Sequence, residues 1–592
     1  MSDNTTIARC KSRSPHAPSH RSPSPPGDAR ILHPGAANGS PPAGQHSGRQ
    51  SVAIVGAGPT GAMLAIELAR RGVEVRVLDR LPLPPAESRA TGIHARTLEI
   101  FRQLGLIEEF LALGHRLDGF ALHTRRRQPV RVRFDGLDTP YPFLLNLRQE
   151  TTQRILDRHL EGLGVRIERG AEVIDLRQDP ERVELSVARA GRPNPETVTV
   201  DWVVGCDGAH SIVRRRLGVS FDGDDYAQDW LMAEVDLDPA PARDHFHIYA
   251  HTAVAFVALP LPSGRFRVFL PQVPNRGMRE RTPPEMEEIE RLAAQRGPAG
   301  LKLSNPDLLA AFRCYRRSTP TMRRGRVLVA GDAAHIHTPA GGQGLNTGLQ
   351  DAVNLGWKLG HVAQHRASPA LLDTYPAERL PIAAGVLAFS HAMVTAFNVA
   401  SPSKRWLRDR LLPGVVAVPG FRHIFTSRMA ELSLGYRGGP LTMATRRALG
   451  RSLRPGDRLP DVPCLTRSGR PTSTLDLLGT GHTLLVLTGP TTIAGVMGAL
   501  TTRMEAFGDL LRVVVISPQG ANHVGSVTDP HLRAHRRYRA QAGGLLLVRP
   551  DGYLARIGSL TSSRVLEEYL QRLIGVPGSS RPHQSTGALL TA

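Results

Sequence analysis

Residues 51–80, SVAIVGAGPTGAMLAIELARRGVEVRVLDR, leave this chain little freedom in how it begins to fold. SVAIVGAG is an apolar run with β-branched residues, as in a strand buried on both faces. GAMLAIELARRG follows with helical periodicity and stops at Gly72. VEVRVLDR then reads as a second strand, completing a βαβ unit. Between first strand and helix lies Gly56-Ala57-Gly58-Pro59-Thr60-Gly61. Gly56 permits a tight turn, Gly58 lets backbone approach a pyrophosphate, and Gly61 lets the helix close on the strand. The helix amides and dipole then face the phosphates. Asp79 ends the second strand, with Arg80 after it, where a carboxylate can accept hydrogen bonds from a ribose. The unit predicts dinucleotide binding without separating FAD from NAD.

Two later segments carry related chemistry. Cys206-Asp207-Gly208-Ala209-His210-Ser211, followed by Arg214, ends a strand. Alone it is equally an ordinary Asp-Gly turn. Gly331-Asp332-Ala333-Ala334-His335 closes the strand of GRVLVAGDAAH and runs on through Pro339 to Gly341-Gly342-Gln343-Gly344-Leu345-Asn346. Asp332 can bind a polyol hydroxyl, and the small residues let a flat ring lie against backbone. The helix starting near Gly344 offers unpaired amides to partial negative charge.

The pattern between these segments becomes alternating and sheet-like from about 219 to 320, so the nucleotide-binding domain is expected to be discontinuous, spanning 51–400 around an interleaved substrate sheet. Residues 401–452 are basic and read as a helical connector. Residues 453–575 alternate strands with helical segments, predicting a small α/β domain. The tails 1–50 and 576–592 are expected to be disordered; the first is rich in Ser, Pro, Gly, His and Arg and cannot bury enough apolar surface to order itself.

The net charge of +21 invites a nucleic-acid reading, but the charge is spread along the chain and aromatics are only 5%. Lysine occurs only at Lys11, Lys302, Lys358 and Lys404, a skew that follows codon usage more than a binding surface. No apolar run reads as a bilayer span; Thr252–Pro262 and Ile382–Phe389 are expected as core strand and core helix. Cys10, Cys206, Cys314 and Cys464 form neither a CxxC pair nor a metal spacing, so a reduced, cytoplasmic chain without metal is expected.

Together the motifs resemble the family of flavoprotein aromatic hydroxylases typified by para-hydroxybenzoate hydroxylase, over about residues 51–400. The resemblance rests on GAGPTG with Asp79, CDGAHSIVR, GRVLVAGDAAHIHTPAGGQGLNTGLQDAVNLGWKL and Tyr375-Pro376-Ala377-Glu378-Arg379-Leu380-Pro381. It implies an α/β fold: a Rossmann-like FAD-binding domain with an inserted mixed β-sheet. The terminal unit resembles the thioredoxin-like domain of the larger members, but has no CxxC and only Cys464. A structural or dimerisation role is therefore expected for it, not thiol chemistry.

On this resemblance Gly56, Gly58, Pro59, Thr60, Gly61, Asp79 and Arg80 would hold the adenosine half of FAD, with Arg89 and Gln149 as further contacts. Asp207 belongs to a signature tied to FAD and NAD(P)H. Gly331 and Asp332 would meet the ribityl chain, Gly342, Gly344, Leu345 and Asn346 the pyrimidine edge, and Pro339 the reactive end of the ring. Asp79 and Gln153 stand where Glu is commoner, and Thr338 where some members have proline.

The implied reaction consumes NADPH or NADH and O2 and hydroxylates a small aromatic substrate, a phenol or polyketide, through a flavin C4a-hydroperoxide. The cofactor supplies the chemistry while the protein orients and excludes water. No second GxGxxG follows a strand, so no separate nicotinamide domain is expected. No catalytic base is assigned; His247, Tyr249 and His251 would share one strand face, near Arg265 and Arg267. The WxWxIP signature of flavin halogenases is missing. Baeyer–Villiger or epoxidising chemistry, and a flavin-binding protein without turnover, stay open, as does a homodimer.

Overall fold

The computed structural model describes residues 50–574, except 85–89, 126–127, 273–283, 443–452, 490–497, 499, 501, 503, 505 and 520–525. Both tails, and Arg89 and Cys10 with them, lie outside the described residues.

The first layer is a six-stranded sheet. Ser51–Val55 pairs in parallel with Glu74–Asp79 on one side and Trp202–Gly205 on the other. Val327–Val329 pairs in parallel with Trp202–Gly205. Four neighbouring strands from distant parts of the chain thus end at one edge of the sheet, and the nucleotide-binding domain is discontinuous, as expected. Helices Pro59–Ala69 and Gly344–Ala363 pack together beside it. A Cβ on Gly356 would lie 2.5 Å from the Cβ of Glu67, so glycine sets how close these helices come.

The second layer is an eight-stranded sheet. It holds the strands expected within 219–320: Asp222–Asp238, His245–Tyr249, Phe256–Pro260, Phe266–Gln272 and Lys302–Ser318. It also recruits Gly119–His123, parallel to His245–Tyr249, with Val130–Arg133 at its edge. One face buries Leu231, Ala233, Val235, Phe256 and Ala258 beneath the helix Met286–Arg296, through Ile289 and Leu292. The opposite face presents Trp230, Met232, Phe269 and Phe312 to Ala340 and Val394.

The apolar helix Thr374–Phe397 follows. It corrects one expectation. Pro369–Phe397 forms 29 residues long and apolar enough to cross a bilayer, with an 18-residue window of mean hydropathy 1.7. Pro381, Ser390 and His391 hide this in the sequence, although residues 380–397 carry no charged side chain. The helix lends Ile382, Val386 and Met393 to the core, so length and composition alone decide nothing about a membrane. Helices Pro402–Ala417 and Pro419–Met429 come next.

The C-terminal unit is built on a seven-stranded mixed sheet centred on His482–Leu487, which is parallel to Leu511–Ser517 and antiparallel to Gly544–Val548. Cys464 is buried there, and burial pushes its thiol up to about 12, which opposes thiolate chemistry.

Candidate active site

Because the four parallel strands end together, their loops converge. Ala57 and Gly58 follow Ser51–Val55, Asp207 follows Trp202–Gly205, and Asp332 follows Val327–Val329. This is the crevice outside the carboxyl ends of the strands, where open α/β sheets bind ligands. Two of the turn's glycines sit where a side chain would not fit. Gly56 has φ of +100° and a Cβ there would lie 2.5 Å from the Cys206 carbonyl oxygen. A Cβ on Gly61 would lie 2.0 Å from the Gly56 carbonyl oxygen, whereas one on Gly58 meets nothing within 4 Å. The turn is therefore closed against the protein at two glycines and open at the third. Pro59 opens the helix with no side-chain cap on its first amides, and the Thr60 hydroxyl lies 2.7 Å from where a Gly331 Cβ would stand.

Asp79 is buried at the end of its strand. One carboxylate oxygen accepts from the Ala57 amide at 2.6 Å, the other from the Leu81 amide at 2.8 Å. Each oxygen keeps a lone pair for a ribose hydroxyl. Arg80 is exposed beside it. Gln149 starts the helix Gln149–Gly162 and its side-chain oxygen faces the Ala90 amide at 3.4 Å. Gln153 turns out to be a strut: its amide donates to the Ala57 carbonyl at 2.9 Å and to Asp157 at 2.6 Å. A glutamate could not donate, which gives this departure from the family pattern a physical reason.

Asp207 caps the helix Ile212–Arg216, accepting from the Ile212 amide at 2.7 Å, while its other oxygen is buried with no hydrogen-bond partner among the described residues. Burial raises its pKa. Arg214 joins the second motif to the third, donating to the carbonyls of Ala209 at 2.8 Å and Ala333 at 3.0 Å. The Gly331 amide donates to Asp351 at 3.1 Å, and Asp351 also takes His335 Nε2 at 2.6 Å and Arg379 Nε at 2.6 Å. Asp332 stands exposed at the rim of the crevice.

The loop from Pro339 to Gly344 is held from below. The Gly342 amide donates to the Pro339 carbonyl at 2.9 Å. The Asn346 side chain donates to Gly92 and Gly342 carbonyls at 2.9 and 2.8 Å and accepts from the His94 amide at 2.9 Å. His94 Nε2 also meets the Gly341 carbonyl at 2.7 Å, and burial lowers its pKa to about 4. Sequence reading missed His94 inside SRATGIHARTLEI; Asn346 is fully buried, its side chain spent on holding this loop. His337 donates from Nδ1 to the Thr338 carbonyl at 2.9 Å, and burial keeps it neutral, its pKa lowered to about 4. Its Nε2 then has no partner among the described residues, and lies 3.5 Å from where a Gly344 Cβ would stand. The helix Gly344–Ala363 also begins without a side-chain cap. An open phosphate turn, a ribose carboxylate, uncapped amides and an orphaned ring nitrogen together fit FAD.

The candidate base cluster lies elsewhere. His247 and Tyr249 do share a face, joined by His123, whose Nε2 lies 3.0 Å from His247 Nδ1 and whose ring stacks on Tyr249. Tyr249 packs with Leu231 and Phe256 under the helix Met286–Arg296, on the side of the sheet away from Ala340. His251 lies beyond the strand's end. Arg267 is used in a buried ion pair with Glu234, which Arg148 also joins. Arg265 pairs with Asp307. The structure brings none of these to the crevice loops.

Glu431 lies beneath the same loop, accepting from Thr347 and Gln350. Burial raises its pKa to about 8. The folded state therefore holds this proton more tightly than the unfolded one. The stability it contributes is full below the unfolded value, about 4.3, and is lost as pH rises through about 8. Glu431→Gln should leave Tm nearly unchanged at acid pH and raise it by several degrees at alkaline pH. Parallel Tm–pH curves for the two proteins would refute this.

Comparison with known proteins gives two family matches: an FAD binding domain over residues 49–390 and the C-terminal part of aromatic-ring hydroxylases over 452–577. The chain is 37% identical over 547 residues to a 6-methylpretetramide 4-monooxygenase of Streptomyces rimosus, covering 90% of this chain and 95% of that one. It is 33% identical over 520 residues to a pentachlorophenol 4-monooxygenase of Sphingobium chlorophenolicum, covering 86% and 94%. Among solved structures, an anhydrotetracycline hydroxylase from Streptomyces rimosus superposes with TM-score 0.73 at 32% identity, covering 90% of this chain and all of that one.

Proposed function

The chain belongs to the FAD-binding aromatic-ring hydroxylases and is an FAD-dependent monooxygenase, and from that premise we propose that it hydroxylates a bulky polycyclic phenol using NADPH or NADH and O2. The observation that carries the substrate class is the apolar sheet face toward Ala340. Trp230, Met232, Phe269 and Phe312 continue through Val257 and Leu259 to Phe246 and Ile248, a span suited to several fused rings. The similar solved structure is named for anhydrotetracycline, which agrees with that breadth.

When bound, FAD supplies the oxygen-activating chemistry. In this reading Gly56, Gly58, Pro59, Thr60 and Gly61 cradle the pyrophosphate, with Asp79, Arg80 and Gln149 toward the adenosine end. Gly331 and Asp332 hold the polyol chain, with Asp207 beside them. Pro339 and Gly342 flank the ring. The amides of Gly344, Leu345 and Asn346 stabilise negative charge at its pyrimidine edge. The aromatic face excludes water and orients the ring to be hydroxylated. No side chain is given the role of base, since a phenol is itself acidic enough to lose its proton. The thiols of Cys206 and Cys464, in no disulfide among the described residues, suit a reducing, cytoplasmic setting.

The test is to isolate the protein with its flavin and follow NADPH and NADH oxidation with polycyclic and single-ring phenols under labelled O2. Faster oxidation with the polycyclic phenol, and one labelled oxygen on its ring, is expected. An inserted ester oxygen, or no acceleration by any phenol, overturns the proposal. Asp332→Ala should emerge largely free of flavin; full flavin content would remove its assigned role.

A further inference from the structure

Arg549 and Asp551 of the C-terminal unit enter one buried charge cluster with the flavin-binding domain. The Arg549 guanidinium donates to both oxygens of Glu378, at 2.6 and 2.8 Å, and is held by Asp551 at 2.5 Å. Glu378 also receives Lys358 and Asn354, each at 2.8 Å. Asp551 receives Trp357 Nε1 and Asn354 at 3.2 Å, and its carbonyl accepts from Arg96 at 2.6 Å. The side chains of Arg549, Glu378 and Lys358 are fully buried. Two cations and two carboxylates balance, so each is compensated where an uncompensated buried charge would be costly.

The next residue along the helix, Arg379, is also fully buried. It donates to Asp351, and Asp351 receives the Gly331 amide. The dipeptide Glu378-Arg379 therefore ties the C-terminal unit and the Gly331–Asp332 turn to one stretch of helix. Lys358, Asn354 and Asp351 also sit on one helix, Gly344–Ala363, whose first turn opens on the ring site.

We infer that Arg549 and Asp551 are positioning residues of the cofactor site: the C-terminal unit fixes the two helices that hold the Gly331–Asp332 turn and the Gly344–Asn346 amides. The unit thus acts on FAD without thiol chemistry and without touching it. This rests on the proposed FAD site.

The experiment measures FAD release from the full-length holoprotein. Arg549→Met and Asp551→Asn should release FAD at least ten-fold faster than the native chain. Arg549→Lys, which keeps a charge but not the bidentate grip, should fall between and serves if Arg549→Met does not fold. The control is Leu546→Ala, in the separate hydrophobic core of the C-terminal unit; it should lower Tm comparably yet leave release within about two-fold. In a double-mutant cycle, Arg549→Met combined with Arg379→Lys should cost less than the product of the single effects, as for residues on one route. Unchanged release in Asp551→Asn and Arg549→Lys, equal acceleration in Leu546→Ala, or strictly multiplicative effects would each overturn the inference. A native chain that binds no FAD would instead overturn the cofactor site itself.

Discussion

Arg379→Met is expected to cost about 3–5 kcal/mol of stability, the range for removing one partner of a buried ion pair. The guanidinium is fully buried and makes three bonds: to Asp351 at 2.6 Å, to the Tyr436 hydroxyl at 3.1 Å and to the Thr347 carbonyl at 3.1 Å. Methionine fills part of the volume and satisfies none of them. Asp351, equally buried, would keep only His335 and the Gly331 amide, and beside Arg379 its pKa is lowered despite its burial. Against a total stability of about 5–15 kcal/mol, such a loss leaves little soluble protein at growth temperature. Thermal denaturation and soluble yield check this. A Tm within about two degrees of the native chain would show that Arg379 is not a keystone.

The second large effect separates two glycines of one turn. Gly61→Ala places a methyl 2.0 Å from a backbone oxygen, and backbone cannot swing aside as a side chain can. The helix Pro59–Ala69 must then retreat from the turn, and both Tm and flavin content should fall sharply. Gly58→Ala meets no protein atom within 4 Å, so the flavin-free protein should melt like the native one. Its methyl instead intrudes where a pyrophosphate would lie, and FAD affinity should fall at least ten-fold. Measuring Tm of the apoproteins and FAD titration for both variants tests the contrast. Native affinity in Gly58→Ala would place the phosphates elsewhere.

How much of this was legible depended on the range of the interaction. The turn at Gly56–Gly61, Asp79 and the block Gly331–Asn346 could be read because each is local: a strand, a glycine turn and a helix within about 20 residues. Their convergence followed from parallel pairing of strands whose buried runs are plain in sequence. The partnership of Gly119–His123 with the covering sheet was not legible, since a short strand in a polar stretch carries no long-range address. The common face of His247 and Tyr249 was legible, but which way that face points depends on where the helix Met286–Arg296 docks. His94 and Gln153 were obscured because their work is done on backbone carbonyls, which have no residue-type signature. Arg549 and Asp551 had no signal at all: the Arg549 partner Glu378 lies 171 residues away.

The burial of the helix Gly344–Ala363 from Asn346 onward has a consequence for synthesis on the ribosome. From Asn346 to Ala363 every residue is buried, and part of that cover comes from the C-terminal unit, where the last-made part supplies Asp551, which accepts from Trp357 Nε1. A nascent chain that stops before Gly544 has every flavin motif but leaves Trp357, Lys358 and Glu378 short of their cover and of Arg549. Such a product exposes an apolar groove with charges inside it, the kind of surface that proteases and chaperones sort on. Chains truncated before Gly544 are therefore expected to be degraded faster than full-length chains.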